Sequence, residues 1–187
     1  IAMTSGGTIN VAGGEWIANT DGTVGNNSNL YVLTAQSNKY ESGFAGPSII
    51  NVTGGTLRGG MDAWVLNNLP EEKAELNISG GNYNTNPKHY LAEGYAAVES
   101  NGIWNVIEAA TVSTPEALAT AVANGGYVVL AEDVALAEAL TIENTTTTID
   151  LNGKNINVGL AEGSETNHIY AFENHGNIKI TGIGTIN

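Results

Sequence analysis

The 187-residue chain contains no cysteine, so neither disulfide staples nor thiolate metal centres hold it together. Basic residues are nearly as scarce: six Lys and Arg stand against 19 Asp and Glu, a formal net charge of −13. Such a surface has little with which to displace counterions from phosphates, so no nucleic-acid partner is expected. It is equally unsuited to an anionic membrane surface. No apolar run approaches the roughly 18 residues that a membrane span requires, and no membrane insertion is expected of this segment. Charged residues of both signs make up only 13%, and long stretches of strong helix formers are missing. In their place are 24 Gly together with many Asn and Thr. That composition predicts an all-β chain with many tight turns.

The turns follow a pattern. Residues 49–57 read Ile-Ile-Asn-Val-Thr-Gly-Gly-Thr-Leu, and the same frame recurs at 8–16 (Thr-Ile-Asn-Val-Ala-Gly-Gly-Glu-Trp) and 75–83 (Glu-Leu-Asn-Ile-Ser-Gly-Gly-Asn-Tyr). A worn copy closes the chain at 178–186. The Gly-Gly pairs are 41 and then 26 residues apart, a strand–turn unit that returns with altered loops, as in a solenoid. Strand side chains alternate between faces. The inward pairs are therefore Ile9/Val11, Ile50/Val52 and Leu76/Ile78, and Asn10, Asn51 and Asn77 face outward. Gly13-Gly14, Gly54-Gly55 and Gly80-Gly81 supply corners where φ is free to turn positive. Stacked copies would form aliphatic stacks inside and Asn or Thr ladders outside, each copy burying its neighbour's face.

Between the copies, further strands are expected at 30–33 and 63–66, a loop at 40–47, and a turn at 67–70. After the third copy, 85–98 reads as a short helical or irregular segment, and 102–106 as the closing strand of a cap. The pattern then restarts. Ser113-Thr114-Pro115-Glu116 is a helix start, with Ser or Thr as N-cap and Pro in the first turn. Leu118, Ala121 and Val122 line one face of that helix, which stops at Asn124-Gly125-Gly126. Strands are expected at 127–130, 140–142, 147–151 and 156–158, and near 169–172 and 178–180. The boundary falls near 107–112, dividing the chain into 1–107 and 108–187. The chain opens at Ile1 without a leader and stops within a repeat, so both ends are expected to continue into a longer protein.

Tyr90-Leu91-Ala92-Glu93-Gly94-Tyr95-Ala96-Ala97-Val98, preceded by Ile78-Ser79-Gly80-Gly81-Asn82-Tyr83, resembles the end of a right-handed parallel β-helix module. Residues 113–130, followed by Thr148-Ile149-Asp150-Leu151-Asn152-Gly153-Lys154, look like the opening of the next. Such modules recur in large, adhesin-like surface proteins of gut-type bacteria and in fibre or spike proteins of their phages. The resemblance spans most of the chain and implies a pectate-lyase-like, right-handed parallel β-helix. Residues 1–107 would be the C-terminal rungs and cap of one module, and 108–187 the helix-capped first rungs of a second. That scaffold carries lyases, hydrolases, adhesins and phage fibres, so the fold does not choose among them.

Catalytic constellations are incomplete. Asn19-Thr20-Asp21-Gly22 matches the Asn-Thr-Asp of polygalacturonase-type glycosidases, but the further carboxylates that chemistry requires are missing and the next acid is Glu41. His175-Gly176 and Ile178-Lys179 only faintly echo that family's later motifs. A lyase needs a base and often a carboxylate-bound Ca²⁺; Arg58 beside Asp62 reads instead as a local surface ion pair. His89, His168 and His175 lack metal-ligand spacing, and Ser113 and the threonines lack an activating neighbour. Thr145–148 suggests ice binding, but no Thr-x-Thr array at rung spacing accompanies it. No cofactor is expected, and adventitious calcium is the only metal the scattered loop acids would take.

The aromatics point elsewhere. Trp64, Tyr40 and Trp16, if exposed, would stack on sugar rings while the Asn-rich loops donate hydrogen bonds. Trp16 and Tyr83 share one position after Gly-Gly, and the competing role for them is stacking inside the solenoid. The expected protein is thus a non-enzymatic, extracellular repeat segment of a bacterial cell surface. Its expected partners are neighbouring modules, and glycans or host-surface molecules. A phage fibre or spike on a virion, assembled as a trimer, is the first alternative; a polysaccharide lyase or glycoside hydrolase is the second.

Overall fold

In a computed structural model, residues 2–4, 7–18, 31–37, 47–65, 73–159 and 170–187 are described. The fold is all-β with a single α-helix among the described residues. Contacts divide the chain into two compact units, Ile1–Ile107 and Glu108–Asn187.

The first unit repeats three strands in order. They are β1 (Ala2–Thr4), β2 (Gly7–Val11), β3 (Glu15–Ile17), β4 (Tyr31–Ser37), β5 (Ser48–Val52), β6 (Thr56–Arg58), β7 (Gly60–Val65), β8 (Ala74–Ile78) and β9 (Asn82–Tyr83). Every third strand pairs, giving the orders β1-β4-β7, β2-β5-β8 and β3-β6-β9, and all of these pairings are parallel. The 63–66 strand expected from the sequence begins earlier, at Gly60. Register puts like on like: Ile9, Ile50 and Leu76 align, as do Val11, Val52 and Ile78. Ile50, Val52 and Ile78 are wholly buried, and burying each such side chain contributes about 1.5–3 kcal/mol. On the next sheet Trp16, Leu57 and Tyr83 align inward.

The corners explain why Gly-Gly recurs. The second glycine of each stacked pair lies at positive φ, 107° at Gly55 and 99° at Gly81, where a side chain is strained. The first is confined by the preceding turn. A Cβ on Gly54 would sit 2.7 Å from the Ala12 carbonyl oxygen, and one on Gly80 would run into the Thr53 oxygen. Gly13, at the first corner, has nothing within 4 Å.

The parallel run ends in a different pairing. A 3-10 turn at Lys88–Tyr90 leads to Leu91, which bridges Ile78 in parallel. Strands β10 (Tyr95–Ser100) and β11 (Ile103–Glu108) are joined by Asn101-Gly102 at φ 53° and 78°, the signature of a two-residue hairpin turn. β11 then pairs antiparallel with β9, Trp104 opposite Tyr83. The segment expected to hold one closing strand therefore holds a hairpin.

The second unit comprises β12 (Ala110–Val112), α1 (Pro115–Asn124), β13 (Gly126–Leu130), β14 (Val134–Leu136), β15 (Leu140–Asp150), β16 (Asn155–Val158), β17 (Phe172–Thr181) and β18 (Thr185–Ile186). Its parallel sheets run β12-β13-β15-β17 and β14-β16-β18. Thr114 caps α1, its Oγ1 accepting from the Ala117 N–H at 3.2 Å, and Leu118, Ala121 and Val122 are buried. At the helix end the Val122 carbonyl accepts from the Gly125 N–H and from the Thr145 and Thr147 hydroxyls. Two of the four consecutive threonines are thus used to satisfy a helix terminus.

Three strand expectations are corrected here. The strands expected at 140–142 and 147–151 are one, β15, which ends at Asp150, because a bulge absorbs the polar break: Asn144 adopts φ 54° and the register with β17 shifts between Glu143 and Thr146. The strand expected at 178–180 is part of β17, which follows β15 across the same bulge; of the separate strand expected near 169–172 only Phe172 belongs to β17, and Ile169 lies outside the described residues. β14, three residues long, was not expected because so short a strand carries almost no periodicity. No helix among the described residues is long and apolar enough to cross a membrane.

Replacing Gly54 or Gly80 by Ala should lower the unfolding free energy by about 1–3 kcal/mol, the cost of overpacking. Gly13→Ala should stay within about 0.5 kcal/mol, as ordinary surface changes do. Denaturant midpoints of the three variants check this, and equal midpoints would remove the corner argument.

Candidate binding surface

The most regular polar feature is on the outward face of the β2-β5-β8 sheet. Asn10, Asn51 and Asn77 share one register position. The Asn51 side-chain N–H donates to Asn10 Oδ1 at 2.9 Å, and Asn77 donates to Asn51 Oδ1 at 3.1 Å. Each amide has two N–H groups and two lone pairs. Ladder bonding occupies one of each at Asn51, leaving the others to face outward. The amides therefore present donors and acceptors at strand spacing, about 4.8 Å apart. Beside them Thr8, Ile49 and Glu75 form the neighbouring outward row, with Glu75 paired to Lys73 at 2.7 Å.

Across the Gly-Gly corner lies the outward face of the β3-β6-β9 sheet. Glu15, Thr56 and Asn82 share one row, with Asn105 of β11 opposite Asn82. Ile17 and Arg58 share the next, and Ile17 is exposed. Arg58 Nε stands 3.6 Å from Glu15 Oε1, which corrects the expected pairing with Asp62. Parallel stacking brings a residue from the preceding turn closer than the one four places along the chain.

Of the aromatic positions singled out by sequence, Trp16 lies on β3 and is partly buried, packed against the core. Its indole N–H donates to the Gly13 carbonyl at 2.8 Å. Tyr83 repeats that bond to the Gly80 carbonyl, also at 2.8 Å, so the large residue after Gly-Gly ties down its own corner. Trp64 lies in β7, with its backbone registered to Gln36; its side chain and all of Tyr40 are outside the described residues. Asn19-Thr20-Asp21-Gly22, Glu41 and His168 are outside them as well.

The described carboxylates with partners take them mostly from the scaffold. Asp133 accepts from the Asn155 backbone at 2.8 Å, and Asn155 Oδ1 in turn accepts from Thr185 Oγ1 at 2.6 Å. Glu99 accepts from Gly102 in the hairpin turn. Lys154 lies 3.6 Å from Glu132. His175 meets Glu173 at 3.2 Å on the surface, while His89 is exposed on the 3-10 turn. Among the described residues no group of three His, Cys, Asp or Glu could hold a metal ion.

Three tyrosines have hydroxyls held neutral by their surroundings. Burial pushes Tyr83 well above its ordinary value. Tyr90 is raised by burial, then by Asp62 and Tyr31, and its hydroxyl reaches the Met61 carbonyl at 3.3 Å. Tyr127 is pushed up to about 12, first by burial and then by Asp150, whose carboxylate accepts its hydroxyl at 3.1 Å.

No known protein family, curated protein or solved structure matches this chain.

The tyrosines set a pH dependence. A hydroxyl whose folded pKa exceeds its ordinary value of about 10 favours the folded state fully below that pH. For Tyr127 that contribution is lost as pH rises through about 12. Thermal midpoints should fall across this window, and Tyr127→Phe should fall less steeply. At neutral pH the variant should lose about 1 kcal/mol with the hydrogen bond to Asp150. Parallel alkaline profiles for the two proteins would contradict the assignment.

Proposed function

We propose that this chain is a non-enzymatic, extracellular segment built on right-handed parallel β-helices, presenting a rigid glycan-binding surface on a bacterial cell-surface protein. The observation carrying this reading is the register: every third strand stacks in parallel with like residues aligned, and the outward amides form a ladder. A glycan offers alternating hydroxyl donors and acceptors along its length. A row of fixed amides, each with unused donors and acceptors, matches that pattern without reorganising on binding, which limits the entropic cost of association. The aromatic contribution is assigned to Trp64, Tyr40 and the exposed part of Trp16, which would stack on sugar rings. Neighbouring modules of the same architecture and host-surface glycans are the proposed partners, and the cell surface is the proposed location.

The test is a panel of plant, microbial and mucin polysaccharides, scored for retention and for turnover. Retention without release of reducing ends or unsaturated products is expected. Asn51→Ala and Trp64→Ala should each weaken retention about tenfold, as truncating a central contact does, while leaving the far-UV spectrum unchanged. Depolymerisation of any polymer would overturn the non-enzymatic reading. Failure to retain every glycan would overturn the binding reading.

A further inference from the structure

The dipeptide Asn-Gly occurs three times in the chain, at Asn101-Gly102, Asn124-Gly125 and Asn152-Gly153. In this pair no side chain on the second residue hinders its nitrogen from approaching the asparagine side-chain carbonyl carbon. All three asparagines are exposed, so exposure does not separate them. Their hydrogen bonds do. Asn152-Gly153 is held at both reacting groups: the Asn152 amide donates to the Leu130 carbonyl at 3.1 Å, and the Gly153 N–H donates to the Ile183 carbonyl at 2.6 Å. Asn124-Gly125 is held at the nitrogen, where the Gly125 N–H donates to the Ala121 and Val122 carbonyls at 3.0 and 3.2 Å. Gly125 is also crowded. A Cβ there would lie 3.2 Å from the Thr146 carbonyl oxygen and 3.3 Å from Thr145 Cβ.

Asn101-Gly102 differs on every count. The pair forms the two-residue turn between β10 and β11, at φ 53° and 78°. In such a turn the closing backbone bond joins the flanking residues, so neither turn N–H belongs to the ladder. The Gly102 N–H donates instead to the carboxylate of Glu99, an exposed side chain that swings away without moving the backbone. No hydrogen bond among the described residues holds the Asn101 side chain. A Cβ on Gly102 would meet nothing within 4 Å, so the space that a ring closing on its nitrogen needs is open.

We infer that Asn101 is a site of spontaneous modification, converted through a cyclic imide to aspartate and isoaspartate while the rest of the chain stays folded. The Gly102 nitrogen gives up its proton to solvent base and attacks Asn101 Cγ. The new C–N bond closes a five-membered imide. The bond from Cγ to the side-chain nitrogen breaks, and that nitrogen takes a proton from solvent and leaves as ammonia. Water then adds to one of the two imide carbonyls. Opening at one restores the ordinary main chain with aspartate at position 101; opening at the other routes the main chain through the side-chain carboxyl carbon. The balance is one water consumed and one ammonia released, with no oxidant or cofactor. The isoaspartate product lengthens the main chain by one carbon inside a two-residue turn, and both products add a negative charge close to Glu99. β11 pairs antiparallel with β9, Trp104 opposite Tyr83, so the modification loosens the hairpin that ends the parallel run of the first unit.

Incubating the folded 187-residue chain at mildly alkaline pH tests this inference, with peptide mapping by mass at intervals and an isoaspartyl methyltransferase as the probe for isoaspartate. Asn101 should be the first asparagine of the three to change from amide to acid. Its rate should exceed those of Asn124 and Asn152 about tenfold, the effect of one further hydrogen bond that must open before reaction. In denaturant the three rates should converge, because the bonds that shield the other two are gone. Asn101→Gly keeps a residue suited to positive φ and should abolish the early methylation. Hydrogen exchange on the aged chain should show protection lost at Ile103–Glu108 and kept in α1. Asn124 or Asn152 reacting as fast as Asn101 in the folded chain, a lead of Asn101 that persists undiminished in denaturant, or early isoaspartate remaining in Asn101→Gly would each overturn the inference.

Discussion

The close approach of one turn's backbone to the next at the Gly-Gly corners governs the first unit. Gly54 lies against the Ala12 carbonyl and Gly80 against that of Thr53, so stacked corners leave no room for a side chain. Once corners nest, the strands flanking them are locked in register. Ile50 must then lie between Ile9 and Leu76, and Asn51 between Asn10 and Asn77. A slip of one residue would exchange the apolar and amide rows. The large residue after each corner completes the arrangement, Trp16 and Tyr83 each returning a hydrogen bond to the first glycine.

The second unit reaches parallel register by other means. Its turns use Asn152-Gly153, at φ 48° and 78°, with Asp150 accepting from the Asn152 N–H at 2.9 Å. Asp133, Asn155 and Thr185 form a polar ladder at the corner, and Asn157 and Asn187 one on the strand. The helix lies over β13 and β15 and is tied down by threonine hydroxyls at its C-terminal carbonyls. In both units, short polar side chains bond between successive turns, and these bonds add directionality to an otherwise non-directional aliphatic stack.

Such ladders also fix the directions of the polar groups they expose. An amide held by its neighbours on both sides cannot rotate freely, so its remaining donor and acceptor point in fixed directions. In the proposed glycan-binding role, such fixed groups suit a long, repetitive ligand better than a compact one.

Much was legible in the sequence because it is local. Alternating Ile-Asn-Val and Leu-Asn-Ile triplets show which side chains face inward, since a strand has period two. Thr114-Pro115 and Gly125 mark the ends of α1, because capping is decided within a few residues. Other features depend on partners distant along the chain. Arg58 meets Glu15 rather than Asp62 because stacking, not sequence distance, sets its neighbours. The break at 143–146 became a bulge because β17 offers a continuous partner and Gly176 accommodates the Thr145 backbone opposite it. The apolar, amide and glycine pattern by itself determined an all-β chain with defined inner and outer faces. Only the tertiary structure decided which turns stack and which polar groups pair, because those depend on backbones brought together across dozens of residues.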